Sequence, residues 1–74
     1  MNKHIGENLK RIREQKALTQ RQMAELLGYS LGGYVKIEQG DRGMSTRKIY
    51  DAAEKIGCSP NDIFLPFDLP SEGK

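Results

Sequence analysis

The sequence has no Trp, a single Cys and a single His among its 74 residues. One Cys cannot close an internal disulfide, and one His with one Cys cannot complete the four ligands of a structural zinc site. Nowhere does an apolar run approach the roughly 18 residues needed to span a bilayer, and the N-terminal segment lacks the hydrophobic stretch of a signal peptide. These gaps exclude an internal disulfide scaffold, a zinc module and a membrane span, and the expectation is a soluble, cytoplasmic chain.

The length leaves room for one small domain. Such a domain buries a thin core. With disulfide and metal removed, association with another subunit is the reinforcement left open. The net charge is only +2, from 12 basic and 10 acidic side chains, but its distribution is uneven. Eight Lys or Arg face five acids through Arg42, whereas four face five from Gly43 onward. A polyanion would meet the first half.

Helix start signals give the organisation. A Ser or Thr cap takes an orphan backbone N–H, and a hydrophobic residue before it packs on the fifth residue after that residue. The pattern occurs four times: Thr19 between Leu18 and Met23, Ser30 between Tyr29 and Tyr34, Ser45 between Met44 and Ile49, and Ser59 between Cys58 and Ile63. Gln22 completes a reciprocal capping box with Thr19, and Pro60 stands at a first helical position, where its missing N–H costs nothing. Gly28, Gly40 and Gly57 follow amphipathic stretches as C-terminal caps. Ile5, Leu9 and Ile12 recur at helical spacing in an earlier stretch.

The signals predict five helices at about 3–15, 20–27, 31–39, 46–56 and 60–65, with no strand. The expected core is Ile5, Leu9, Ile12, Leu18, Met23, Ala24, Leu27, Tyr34, Ile37, Ile49, Ala52, Ala53, Ile56, Ile63 and Phe64. Residues 1–65 form the expected domain, and 66–74 an irregular tail or the start of a linker.

Catalysis has little to work with, because a nucleophile needs a base and the base an orienting partner. His4 reads as an exposed or half-packed side chain, and Cys58 as a small hydrophobe ahead of the last helix. No catalytic residue, cofactor or metal ligand is expected.

The second and third helices are separated by only Gly28, Tyr29 and Ser30, which forces a sharp crossing. Ala24 permits close packing there. The stretch QRQMAELLGYSLGGYVKIEQ, from Gln20 to Gln39, resembles the helix-turn-helix of the phage-repressor and Cro-type family. The resemblance is carried by LTQ, Met23-Ala24, Gly28-Tyr29-Ser30, Lys36-Ile37-Glu38 and Gly40 at the family's spacings. It continues through IYDAAEKIGCSPNDIF, so that it covers about residues 5 to 64.

The resemblance implies an all-α, five-helix, lambda-repressor-like domain with its motif at 20–39. It implies a third helix that enters the major groove, with phosphates held at the start of the second helix and by the loop after the third. Gln20 and Arg21 then fall at the phosphate-contacting start. Ser30, Leu31, Gly32, Gly33 and Lys36 fall on the groove face, and Gln39, Arg42 and Ser45 beside the flanking phosphates. The resemblance also implies an ion pair between Arg13 and Glu38, joining the first helix to the end of the third.

The third helix departs from the usual pattern, since Leu31, Gly32 and Gly33 offer no side-chain donor where base edges are read. Three readings stay open. Leu31 meets a thymine methyl while the glycines let the backbone approach and Lys36 and DNA shape give specificity; the domain binds a related repressor instead of DNA; or the chain is the DNA-binding part of a longer regulator. The expected function is a bacterial or phage DNA-binding transcriptional regulator, with double-stranded DNA and a second copy of itself as partners. The alternative is an antirepressor-like interaction module.

Overall fold

The computed structural model describes residues 2–66. The expected tail, 66–74, lies outside the described residues from position 67 onward. Five helices follow in order: α1 (Asn2–Gln15), α2 (Gln20–Leu27), α3 (Leu31–Gln39), α4 (Thr46–Ile56) and α5 (Pro60–Phe64), with no strand among the described residues. Bounds differ from expectation by one residue at the start of α1 and at the end of α5.

Each cap predicted for α2 to α5 forms. The Thr19 hydroxyl accepts from Gln22 N–H at 3.0 Å while the Gln22 side chain accepts from Thr19 N–H at 2.8 Å. Ser30 accepts from Gly33, Ser45 from Lys48 and Ser59 from Asn61. Gly28, Gly40 and Gly57 close α2, α3 and α4 in the left-handed conformation. The end of α1 carried no glycine signal. There Ala17 takes φ 58°, and Leu18 N–H donates to Arg13 O at 3.0 Å, so the helix stops in the usual geometry at the steric cost of a Cβ.

Helix α1 packs on α3 and α5, α2 on α3 and α4, and α4 on α5. Their apolar stripes meet in one core formed by Ile5, Leu9, Ile12, Met23, Ala24, Leu27, Tyr34, Ile37, Ile49, Ala52, Ala53, Ile56 and Ile63. Two expected members stand apart. Leu18 is half-buried, as a connector residue packed against the rim of that core. Phe64 is 38% exposed, because Ile63 takes the inward direction of the short α5 and the next residue is turned away by about a quarter of a helical turn or more.

Two features of α1 escaped the apolar pattern. Asn8 is buried, and its amide donates to Ile63 O at 2.9 Å and Leu65 O at 2.6 Å while its oxygen accepts from Arg11 Nη1. His4 Nε2 lies 2.8 Å from Phe64 O, which can only accept, so this nitrogen carries a proton. Three successive carbonyls at the end of α5 are thus satisfied by α1. On the other side, Gly6 is pressed against the end of α3, where a Cβ would fall inside contact distance of the Ile37 and Glu38 carbonyl oxygens.

Because those oxygens are backbone, Gly6→Ala must push α1 off α3. It should destabilise the domain by at least about 1 to 3 kcal/mol, which at this size lowers the melting temperature by about 4 to 8 °C per kcal/mol. Gly32→Ala, which meets no atom within 4 Å, should be neutral or raise stability by up to about 1 kcal/mol. Thermal melts followed by circular dichroism compare the two, and a Gly6→Ala melt equal to wild type would refute the close-packing account.

Candidate nucleic-acid interface

Helix α3 is held at its C-terminal end by a carboxylate that three helices share. Arg13 Nε donates to Glu38 Oε2 at 2.6 Å and Nη2 to Oε1 at 3.3 Å, a two-point contact between α1 and α3. Gln20, the first residue of α2, donates its amide to the same Oε1 at 3.1 Å. Arg13 Nη1 also donates to Leu18 O at 2.9 Å, securing the connector between α1 and α2. The side chains of Arg13 and Glu38 retain only 12% and 4% of their exposure.

Burial by itself pushes the Glu38 carboxyl up, but Arg13 and the surrounding donors outweigh it and hold the pKa below the ordinary carboxylate value. The hydrogen bond to Glu38 raises the Arg13 pKa in turn. Burial pushes the nearby Tyr34 phenol far up, and the Glu38 carboxylate adds to it, so the phenol stays protonated.

At the opposite end, the α3 N-terminus is open. The Ser30 hydroxyl is turned to Gly33 N–H at 3.1 Å, Leu31 is half-buried, and Gly32 faces empty space. Lys36 and Gln39 are exposed further along α3, at a spacing that puts them on one face with Gly32. Arg21 is exposed in the first turn of α2.

The loop after α3 folds back toward this end. The Arg42 guanidinium carbon lies 5.6 Å from the centroid of the Tyr29 ring, and Lys48 Nζ lies 5.3 Å from the same centroid. Burial pushes the Tyr29 phenol up, Asp51 adds to the shift, and Arg42 opposes it. Ser45 caps α4 beside this cluster, accepting from Lys48 N–H at 3.2 Å. The geometry thus brings Ser30, Gly33 and Arg42 together and joins Gln20 to the Arg13–Glu38 pair, while Arg21, Lys36 and Gln39 stand as separate exposed side chains. Tyr29 and Lys48 were not among the expected contacts, although the Tyr29-Ser30 cap signal did place the ring beside the start of α3.

Outside this surface, burial pushes the Cys58 thiol up, with Asp62 adding to it, and the side chain packs against the core. No helix among the described residues is long and apolar enough to cross a membrane.

Two short helices crossed at a three-residue turn, braced behind by a shared carboxylate and fronted by basic side chains, define a helix-turn-helix domain. A helix-turn-helix domain family model matches residues 6–65. An uncharacterised HTH-type transcriptional regulator of Sinorhizobium fredii, y4dJ, is 31% identical over 68 residues, covering 92% of this chain and 88% of that protein. Among solved structures, the restriction-modification controller protein C.AhdI from Aeromonas hydrophila superimposes with a TM-score of 0.77 at 27% identity, covering 85% of this chain and 96% of its own. The clp gene regulator ClgR from Corynebacterium glutamicum gives 0.78 at 25% identity, over 86% and 83% of the two chains. The chain belongs to the helix-turn-helix family of the phage-repressor and Cro type, and it is a DNA-binding transcriptional regulator.

The depressed pKa of Glu38 sets the sign of a pH effect. Its contribution is complete above the unfolded carboxyl value of roughly 4.3 and is lost as pH falls through the lower folded value. Urea midpoints should therefore drop below about pH 4, and Glu38→Gln should flatten that part of the profile. At pH 7, Arg13→Met leaves a buried carboxylate without its cation and should cost about 3 to 5 kcal/mol, while Arg13→Met with Glu38→Leu should cost less than Arg13→Met alone. A double mutant no better than the single would show that the pair is not the brace.

Proposed function

We propose that this protein is a homodimeric, operator-binding regulator of bacterial or phage genes. In this reading α3 enters the major groove at Ser30, Leu31, Gly32, Gly33 and Lys36. Gln20, Arg21, Gln39, Arg42 and Ser45 approach the flanking phosphates, and occupancy of the operator, with no chemistry, controls transcription. The observation that carries the reading is the two-ended character of α3, immobilised at Glu38 and open at Ser30 to Gly33. A rigid rear support is what a groove-reading helix needs, because base discrimination fails when the helix can tilt.

Dimerisation is supported by the exposed apolar side chains of Tyr50, Phe64 and Leu65. Tyr50 and Phe64 line a shallow groove between α4 and α5 that includes no α3 residue. A dimer of this kind reads two half-sites about one DNA turn, roughly 34 Å, apart on a two-fold operator. A second reading, a module that binds a related repressor, is favoured by the lack of side-chain donors at Leu31, Gly32 and Gly33.

Selection from a random duplex library with the purified chain tests the first reading. Its selected site should outcompete random duplex by about 10³-fold or more, with affinity falling steeply as salt rises. Lys36→Ala should weaken binding by about 1 to 3 kcal/mol if it reaches a base. Weak, sequence-independent binding alongside tight association with a repressor would favour the second reading. Tyr50→Glu with Leu65→Glu, both at exposed positions, should convert a dimer to a monomer in sedimentation equilibrium and lower operator affinity; an unchanged dimer would move the interface elsewhere.

A further inference from the structure

We infer that Arg42, from the loop after α3, supplies the guanine-reading donor that the first turn of α3 lacks, and that Gly33 is glycine because the Arg42 guanidinium occupies its side-chain space. The inference rests on the operator-binding reading and makes it specific, moving Arg42 from a flanking phosphate to a base edge. Leu31, Gly32 and Gly33 present no hydrogen-bonding side chain at the part of a reading helix that meets base edges. Yet a Cβ on Gly33 would lie 2.9 Å from Arg42 Nη1 and 3.1 Å from Ser30 Oγ. The guanidinium lies against the place where the side chain of residue 33 would begin, closer than a Cβ contact allows.

Arg42 is exposed and forms no hydrogen bond or salt bridge among the described residues. The contact that orients it is the Tyr29 ring, 5.6 Å from the guanidinium carbon, on a residue that is itself half-buried against the core. A cation held over an aromatic face keeps its N–H donors directed outward, at a smaller entropic cost than a freely rotating arginine. Guanine presents O6 and N7 in the major groove at the spacing of that planar fork; the fork also fits a phosphate, so the base assignment rests on the place of the guanidinium beside the first turn of α3. Lys48, 5.3 Å from the same ring at the start of α4, is a compact cation, so the cluster divides into a fork and a point charge.

The test is the duplex-library selection run with wild type, Arg42→Ala, Arg42→Lys and Gly33→Ala, each checked for its melting temperature. Wild type should select a guanine at one position of each half-site, preferred over the other bases by about tenfold to a hundredfold. Arg42→Ala should abolish that preference while leaving the others, and Arg42→Lys, which keeps the charge and loses the fork, should not restore it. Gly33→Ala should lose the same preference with a melting temperature equal to or above that of wild type, since alanine favours the helix.

If Arg42→Ala weakens binding to all sequences alike and the selected site is unchanged, Arg42 is a phosphate contact and the inference fails while the operator-binding reading stands. If Gly33→Ala keeps the guanine preference, the glycine is not a seat and that half of the inference fails. If wild type selects no sequence, both the inference and the reading beneath it fall.

Discussion

A carboxylate with 4% of its exposure left, Glu38, ties together the helices that matter for orientation. Taking such a group out of water is costly unless its lone pairs are matched, and here Arg13 and Gln20 match them from two other helices. The net gain in stability from such an arrangement is small. Its geometric content is larger, because the two-point guanidinium contact works only at one relative placement of α1 and α3, and the Gln20 amide adds α2. A hydrophobic replacement of similar volume would fill the space without specifying that placement. The position of α3 therefore depends on this contact more than on the apolar core, which would accept small slides of one helix on another.

Helix α1 completes the frame from its other residues. Gly6 lets its backbone meet the carbonyl end of α3, so the rear of that helix is clamped by main chain as well as by charge. Asn8 and His4 take the last carbonyls of α5, which has only five residues and would be marginal in isolation. One helix thus fixes the C-terminal end of α3 and the closing helix together. Beyond the apolar stripe of Ile5, Leu9 and Ile12, what α1 contributes is polar and directional, through His4, Asn8 and Arg13.

Much of this organisation was legible in the sequence, and the reason is local. Four caps and three terminal glycines are each decided within five residues, so the starts of α2 to α5 follow from short-range hydrogen bonding and φ preference. What depended on contacts across the chain was harder to read. The end of α1 was marked only by the fading of the pattern, because Ala17 adopts a left-handed conformation that its side chain disfavours. Phe64 reads as core on composition, yet a helix of five residues can bury only one direction, and Ile63 takes it. Asn8 and Gly6 sit on or beside the apolar stripe and carry no signal in the local pattern, because both answer carbonyls more than thirty residues away. At the interface, the resemblance supplied positions but not connections, and the meeting of Arg42 with Gly33 and Tyr29 needs the return of the loop after α3.

Two glycines in the first turn of α3 reduce its helical preference by about 1 kcal/mol each relative to alanine, so local propensity argues against order at the end where order is needed. The structure offsets that looseness from outside the turn. Ser30 pins the N–H of Gly33, Tyr29 anchors the preceding residue in the core rim, and the tightly braced C-terminal end leaves only two residues of the turn without a side chain to hold them. A bare turn supported in this way can come closer to another surface than one carrying long side chains. It also leaves room for a neighbouring loop to place its own side chain over it. The sparse first turn is therefore compatible with a DNA-binding domain so long as Glu38 holds the other end still, since the aim of the open end is set by the helix axis and the axis is set at the carboxylate.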